Sequence, residues 1–243
     1  MKGIILAGGT GSRLHPLTLV TNKHLLPVGN LPMILHSVSK LVKVGIQEIM
    51  VVTGTEHMGD IVSLLGSGKK HECNFTFKVQ DQPDGIAGAL KLCKNFANNH
   101  DVVVILGDNI FETDLQKSVS MFENTKSKIS LDTPLCLLNL TEVEDPERFG
   151  VATIKNDKIV KIVEKPQKPE SNFCVTGIYI YDNKVFDYIK NLKHSKRGEL
   201  EISDVNNFYV KEGVATYNIL EGWWTDAGTH DSYHLANRLF SNR

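Results

Sequence analysis

The chain has 243 residues, 41% of them hydrophobic and 23% charged, with 27 Lys plus Arg against 28 Asp plus Glu. That length makes one large domain or two small ones with a sizeable core, and the mix excludes a disordered or fibrous chain. A net charge of −1 gives no broad field for nucleic acid or an anionic membrane, so an anionic ligand must be held by a few placed groups. Cys73, Cys93, Cys136 and Cys174 form no C-x-x-C pair and sit among apolar neighbours. They read as buried free thiols in a reducing cytosol, not as a zinc site or a disulfide frame. No run reaches the ~18 apolar residues of a membrane span, and the first nine residues are short for a signal peptide, so a cytoplasmic protein is expected.

Residues 3–7 read as a buried strand, followed by a Gly-rich turn through Gly11. Pro32 suits the first position of a helix, and Ile34, Val38, Leu41, Val42 and Gly45 recur behind it at helical spacing. Residues 48–53 form a second strand, 60–65 a short helix and 74–80 an alternating third strand. Residues 86–96 read as one helix, and 102–106 as an apolar strand running into Gly107-Asp108-Asn109. This alternation predicts an α/β fold with a mostly parallel central sheet flanked by helices. Ligands on such sheets lie beyond the carboxyl ends of the strands, where the Gly8–Arg13 turn and Asp108 both fall. The second half is richer in strands, at 135–140, 150–154, 159–164 and 173–181, with Asn156-Asp157 as a hairpin turn. Helices are expected at 183–191, 201–212 and 229–240, the last with Thr229 or Asp231 near its cap. There is no linker rich in Pro, Gly or Ser, and no repeat, so both halves are expected to share one sheet.

Leu6-Ala7-Gly8-Gly9-Thr10-Gly11-Ser12-Arg13 is the first segment with chemical content. Its glycines allow positive φ and close backbone approach, and successive N–H groups can then cup an anion. Arg13 can add a charged fork. A plain strand-to-helix turn accounts for a bare Gly-rich stretch equally well. The segment is not a Walker A loop, since no Lys-Ser/Thr follows, and it lacks the third glycine of a dinucleotide fingerprint. Gly66-Ser67-Gly68-Lys69-Lys70 mimics a Walker A loop, but Ser63 and Lys70 stand where Gly and Ser/Thr belong.

Further blocks follow in order: Lys23 with Leu25-Leu26-Pro27-Val28; Gln80 with Pro83-Asp84-Gly85-Ile86-Ala87; Leu106-Gly107-Asp108-Asn109; and Pro146-Glu147-Arg148-Phe149-Gly150. Then come Glu164-Lys165-Pro166, Val175-Thr176-Gly177, Arg197-Gly198-Glu199-Leu200-Glu201-Ile202 and Trp224-Thr225-Asp226-Ala227-Gly228-Thr229-His230. Together with the Gly-rich turn, this series resembles the sugar-1-phosphate nucleotidyltransferases over nearly the whole chain. The resemblance implies a Rossmann-like nucleotidyltransferase fold with an inserted β-rich sugar-binding part. It implies one domain over 1–243: a nucleotide-binding part to about 130, a sugar-phosphate part from about 131 to 228, and a C-terminal helix.

The implied reaction is attack of a glucose 1-phosphate oxygen on the α-phosphorus of dTTP, with Mg²⁺ as cofactor and pyrophosphate as leaving group. No enzyme nucleophile is needed, and the chemistry is positioning plus charge stabilisation. By resemblance Arg13, Lys23, Asp108 and Lys165 are catalytic, and Asp108 and Asp226 hold the metal. Leu6, Gly8, Gly9, Thr10, Gly11, Ser12, Gln80, Pro83, Asp84 and Gly85 would bind nucleotide beside Arg13 and Asp108. Asn109, Gly150, Glu164, Lys165, Val175, Thr176, Gly177, Tyr179, Arg197 and Trp224 would bind the sugar phosphate. A Gln amide at 80 matches the N3–H and O4 edge of thymine, but uracil shows the same edge, so UTP or another hexose 1-phosphate stays open. Tyr179 and Trp224 serve equally as packed aromatics, and Asp84 either meets the deoxyribose or shapes its turn.

His24 stands where relatives often carry Gln, and Asp81-Gln82 replaces a common Pro-Ser. The chain ends about a dozen residues after Gly228-Thr229-His230, where longer relatives continue with extra helices. A homo-oligomer is expected, with a dimer or a monomer as the alternatives, and feedback inhibition through those helices is in doubt.

Overall fold

The computed structural model describes residues 1–241. Its strands are β1 Lys2–Ala7, β2 Pro27–Val28, β3 Leu31–Pro32, β4 Glu48–Thr53, β5 Asn74–Val79, β6 Val102–Leu106 and β7 Asn109–Phe111. The second half adds β8 Cys136–Glu142, β9 Gly150–Lys155, β10 Lys158–Glu164, β11 Phe173–Tyr181, β12 Ala215–Ile219 and β13 Trp224–Asp226. The helices are α1 Met33–Lys43, α2 Met58–Leu65, α3 Gly85–Lys91, α4 Lys94–Ala97, α5 Gln116–Lys126, α6 Val185–Lys190, α7 Ile202–Lys211 and α8 His230–Ser241. None of them is long and apolar enough to cross a membrane.

Nine strands form one mixed sheet, running β10-β9-β11-β6-β1-β4-β5, with β8 also paired to β11 and β12 paired to β8. β6, β1, β4 and β5 are parallel, while β11 joins β6, β8 and β9 antiparallel. The apolar run of β1 is explained by burial on both faces. Ile4 and Leu6 pack with α3, α4, α6 and α7, whereas Ile5 and Ala7 pack with α1, α2 and α5. The four cysteines are buried free thiols, and burial pushes Cys93 and Cys174 up to about 12. Asn156 and Asp157 both have positive φ (49° and 55°), as a two-residue hairpin between β9 and β10 requires.

Local chemistry moves several expected elements. Pro32 lies just before α1, not within it, because it is used in the β2–β3 pair opposite Pro27. The expected helix over 86–96 is broken after Lys91, where the Leu92–Cys93 turn separates α3 from α4. Thr229 caps α8: its Oγ1 accepts from the Ser232 N–H at 3.3 Å, while Ser232 Oγ accepts from the Thr229 N–H at 3.1 Å.

A gap in the sheet positions the site. β9 pairs with β11 at Cys174 and Val175, and β6 pairs with it from Ile178 onward. Thr176 and Gly177 lie between, where the β11–β8 register also shifts. The carboxyl end of β6 and the start of β9 therefore face each other across an opening in the ladder.

Candidate active site

A cavity of about 620 Å³ occupies this opening. Leu106 and Asn109 reach it from the β6 end, Gly150 from β9, and Val175 and Gly177 from β11. Gly177 has to be glycine, because a Cβ there would lie 2.6 Å from Leu106 Cγ and 2.7 Å from Asn109 Nδ2. The close approach lets the Gly177 N–H donate to Asn109 Oδ1 at 2.8 Å. Trp224 Nε1 donates to the same oxygen at 2.8 Å, and Asn109 Nδ2 donates to Asp108 Oδ1 at 3.1 Å. Asn109 is thus engaged at both ends of its amide and orients Asp108.

The two aspartates meet because β7 and β13 form a short antiparallel ladder with Asp226 opposite Asn109. The Ala227 N–H donates to the Asp108 carbonyl at 2.8 Å and closes it. Asp108 Oδ2 lies 3.4 Å, and Asp226 Oδ2 3.6 Å, from the point a Cβ on Gly228 would occupy. Arg13 Nη2 lies 3.0 Å from that point, so Gly228 leaves room for two carboxylates and a guanidinium. Burial pushes Asp108 up, but the Lys23 ammonium 2.5 Å away outweighs it and holds the carboxyl well below the usual range. Burial and the charge of Asp108 push Asp226 up to about 6, against the pull of Arg148 at 3.3 Å. A pair of carboxylates that repel each other across a shared space fits Mg²⁺, which takes one or two protein carboxylates and completes its shell with water and phosphate. No group of three or more His, Cys, Asp or Glu is arranged for a metal among the described residues.

Cations ring this centre. Arg13 and Lys165 line the cavity without an ion pair among the described residues, which leaves both charges available to an anion. Lys23 is held near Asp108 by the Gly-rich turn: Gly11 has φ +64°, and a Cβ there would come within 3.3 Å of Lys23 Cβ. The turn is pinned by Thr18 Oγ1, which donates to the Gly11 carbonyl at 2.7 Å. Lys165 itself sits at φ +43° with its N–H on the Phe149 carbonyl at 2.9 Å. A non-glycine in the left-handed region is strained, and such strain clusters at ligand sites.

Leu6, Gly8, Gly9, Gln80, Pro83 and Gly85 line the nucleotide-side wall expected from the sequence. Gly85 has φ +78° and admits Leu200, whose carbonyl would lie 2.5 Å from a Cβ. Glu164, Tyr179, Arg197 and Trp224 line the opposite part. Arg197 spans Glu199 at 2.7 Å, Glu164 at 3.6 Å and Glu201 at 3.7 Å. Five expected residues do not line the cavity. Thr10 lines a smaller recess that shares Gly9, Gln80 and Pro83 with the cavity. Gly11, at φ +64°, precedes the single helical turn that Ser12 opens. The Asp84 carboxylate pairs with His194 at 2.7 Å, which favours its turn-shaping role. Thr176 is fully buried, with Oγ1 donating to the Asn139 carbonyl at 2.8 Å.

Other lining residues carried no assigned role in the sequence reading. Arg148 bridges Asp145 and Asp226, a pairing invisible at 78 residues' separation. Ser203 and Asn206 enter from α7. His24, whose replacement of Gln was legible, is buried, and burial with the Lys23 charge pushes it down to about 3, so its ring is neutral. Asn22 Oδ1 accepts from both the His24 N–H at 2.9 Å and Nδ1 at 2.7 Å. That places the proton on Nδ1 and leaves Nε2 as an acceptor.

A paired carboxylate centre, ringed by cations at the carboxyl end of a Gly-looped parallel strand, is an apparatus for phosphate chemistry. A profile of the nucleotidyl transferase family matches residues 2–243, and the chain belongs to that family. It is 43% identical over 239 residues to a glucose-1-phosphate thymidylyltransferase of Neisseria meningitidis, covering 97% of this chain and 81% of that protein. It is 40% identical over 242 residues to the glucose-1-phosphate thymidylyltransferase of Xanthomonas campestris, covering 97% and 79%. Among solved structures, a Bacillus anthracis protein assigned as a glucose-1-phosphate thymidylyltransferase, crystallised with a sucrose, superposes with a TM-score of 0.92 at 59% identity. That match covers 98% of this chain and 94% of the other. A UDP-glucose pyrophosphorylase crystallised with UDP-glucose shares the fold (TM-score 0.84, 23% identity, covering 99% and 98%).

Proposed function

We propose that the protein transfers a deoxythymidylyl group from dTTP to glucose 1-phosphate, giving dTDP-glucose and pyrophosphate. The observation that carries this reading is the convergence of Asp108, Asp226, Arg13, Lys23 and Lys165 on one cavity. The names of the relatives at 40–43% identity support thymidylyl transfer to glucose 1-phosphate over other choices.

An oxygen of the sugar phosphate forms a bond to the α-phosphorus, and the bond from that phosphorus to the α–β bridging oxygen breaks. The attacking phosphate is already anionic, so no protein base is required. Arg13 and Lys23 neutralise the triphosphate and the departing pyrophosphate. Lys165 holds the phosphate of the sugar, which fixes the attacking oxygen relative to the nucleotide. Gln80 and Gly85 receive the base, and Glu164 accepts from sugar hydroxyls. Asp108 and Asp226 would hold a Mg²⁺ ion, which supplies charge neutralisation and a template for the phosphates when bound.

Mixing the protein with dTTP, UTP, glucose 1-phosphate and Mg²⁺ is expected to release pyrophosphate with dTDP-glucose as the main product by mass. Lys23→Ala should be slower by about 2.7–4 kcal/mol of barrier, comparable to losing one preorganised donor. Wild-type turnover no greater than that of Lys23→Ala overturns the reading, and a predominance of UDP-glucose moves it to the other pyrimidine nucleotide.

A further inference from the structure

Four buried polar side-chain atoms lack a hydrogen-bond partner among the described residues: Ser37 Oγ, Thr53 Oγ1, Gln80 Nε2 and Asn206 Nδ2. Of these residues, Gln80 and Asn206 line the cavity. Gln80 belongs to the nucleotide wall already described. Asn206 is 1% exposed and has no role so far. Its Oδ1 accepts from the Tyr181 hydroxyl at 2.5 Å. Tyr181 is fully buried and stacked on Tyr179 with ring centroids 5.7 Å apart, which fixes the position of that hydroxyl. What remains is a buried N–H donor without an acceptor, on a residue that lines a ligand-sized cavity. Buried donors are rarely left in that state unless a ligand or water completes them.

The surroundings assign the donor to the sugar-phosphate side. Ser203, one turn earlier on α7, donates to Glu164 Oε2 at 2.5 Å. Asn207 clasps the backbone of Ile162, accepting its N–H at 3.0 Å and donating to its carbonyl at 2.8 Å. These bonds tie α7 to β10, which ends in Glu164 and leads directly into Lys165. The nucleotide wall is built instead from β1, the end of β5 and the start of α3.

We propose that Asn206 is a specificity-determining residue: its Nδ2 donates a hydrogen bond to one hydroxyl oxygen of the hexose. The inference rests on the reading above that a hexose 1-phosphate is the substrate. Glu164 is acceptor-only, so alone it reads hydroxyl protons. Asn206 adds the complementary reading of an oxygen lone pair. A sugar lacking that oxygen leaves the donor buried and unpaired, a penalty that apolar lining residues such as Ile86 and Ala89 do not impose.

The test compares kcat/KM for glucose 1-phosphate with its 2-, 3-, 4- and 6-deoxy analogues, by pyrophosphate release with dTTP and Mg²⁺, in wild type and Asn206→Leu. Wild type is expected to lose about tenfold or more with the analogue whose missing oxygen Asn206 contacts. In Asn206→Leu that analogue and glucose 1-phosphate should react within about twofold, while the other analogues keep their wild-type ratios. Ratios within one enzyme do not depend on how much of it is folded. Equal ratios in both enzymes at every position, or no analogue penalised in wild type, overturn the proposal. Wild type inert toward glucose 1-phosphate itself means that the substrate reading has failed and takes this inference with it.

Discussion

Asp108→Asn is expected to lower kcat by about 10³-fold while the protein remains folded. The amide preserves shape and keeps an oxygen for Lys23, but it removes the charge that Lys23 and a bound cation both need. Breaking a buried ion pair outright costs about 3–5 kcal/mol. Here the loss is softened, because removing the Asp108 charge also relieves its repulsion of Asp226. Asp226→Asn separates the two effects. The folded-state value of Asp226, about 6, lies above its ordinary 3.8, so folding resists its ionisation. Its stability contribution is therefore intact in acid and is lost as pH rises through about 6. Metal-free Asp226→Asn should be more stable than wild type by roughly 1–3 kcal/mol at pH 7.5 in urea unfolding, with the gain vanishing near pH 4. Activity should fall in the same variant. A loss of stability at pH 7.5 contradicts the account in which burial and the Asp108 charge together resist ionisation of Asp226.

Lys165→Met should reduce kcat/KM for glucose 1-phosphate by about 10²-fold and leave the KM for dTTP within about twofold. Methionine keeps most of the stem and the same left-handed backbone penalty, so the change isolates the charge. Among the described residues Lys165 pairs with no carboxylate, in contrast to Lys23, so its loss strands no partner there. A rise in the KM for dTTP equal to the effect on the sugar phosphate would assign Lys165 to the nucleotide instead.

The fold was legible where hydrophobic pattern is strong. The runs at β1, β4 and β6 are buried on both faces, and the Gly-rich turn follows the first of them. Asp108 was legible because it follows β6 directly. Its meeting with Asp226 was legible only through family resemblance. β7 and β13 are three residues each, too short to show a period, and their pairing spans more than a hundred residues. α5 escaped because its sequence is polar and buries only Ser118, Val119 and Phe122. β12 escaped because half-buried alternation over five residues is a weak signal. Asn109 entered as a sugar-side residue by resemblance, and the three neighbours that engage its amide were not legible. Thr176 and Gly177 entered by resemblance as a close backbone approach, and where the Thr176 hydroxyl goes, to the Asn139 carbonyl beside the register shift, was not legible. Directions of this kind depend on contacts that no local pattern encodes. The unpartnered amide of Asn206 is of the same sort, since nothing in its helix distinguishes it from Asn207.

The most direct measurement is an anomalous difference map from a crystal grown with dTTP and Mn²⁺ in place of Mg²⁺. One strong peak touching carboxylate oxygens of both Asp108 and Asp226, with a triphosphate oxygen completing the contact, is the predicted result. Manganese bound elsewhere, with the two carboxylates on separate partners and the triphosphate away from Arg13, contradicts it.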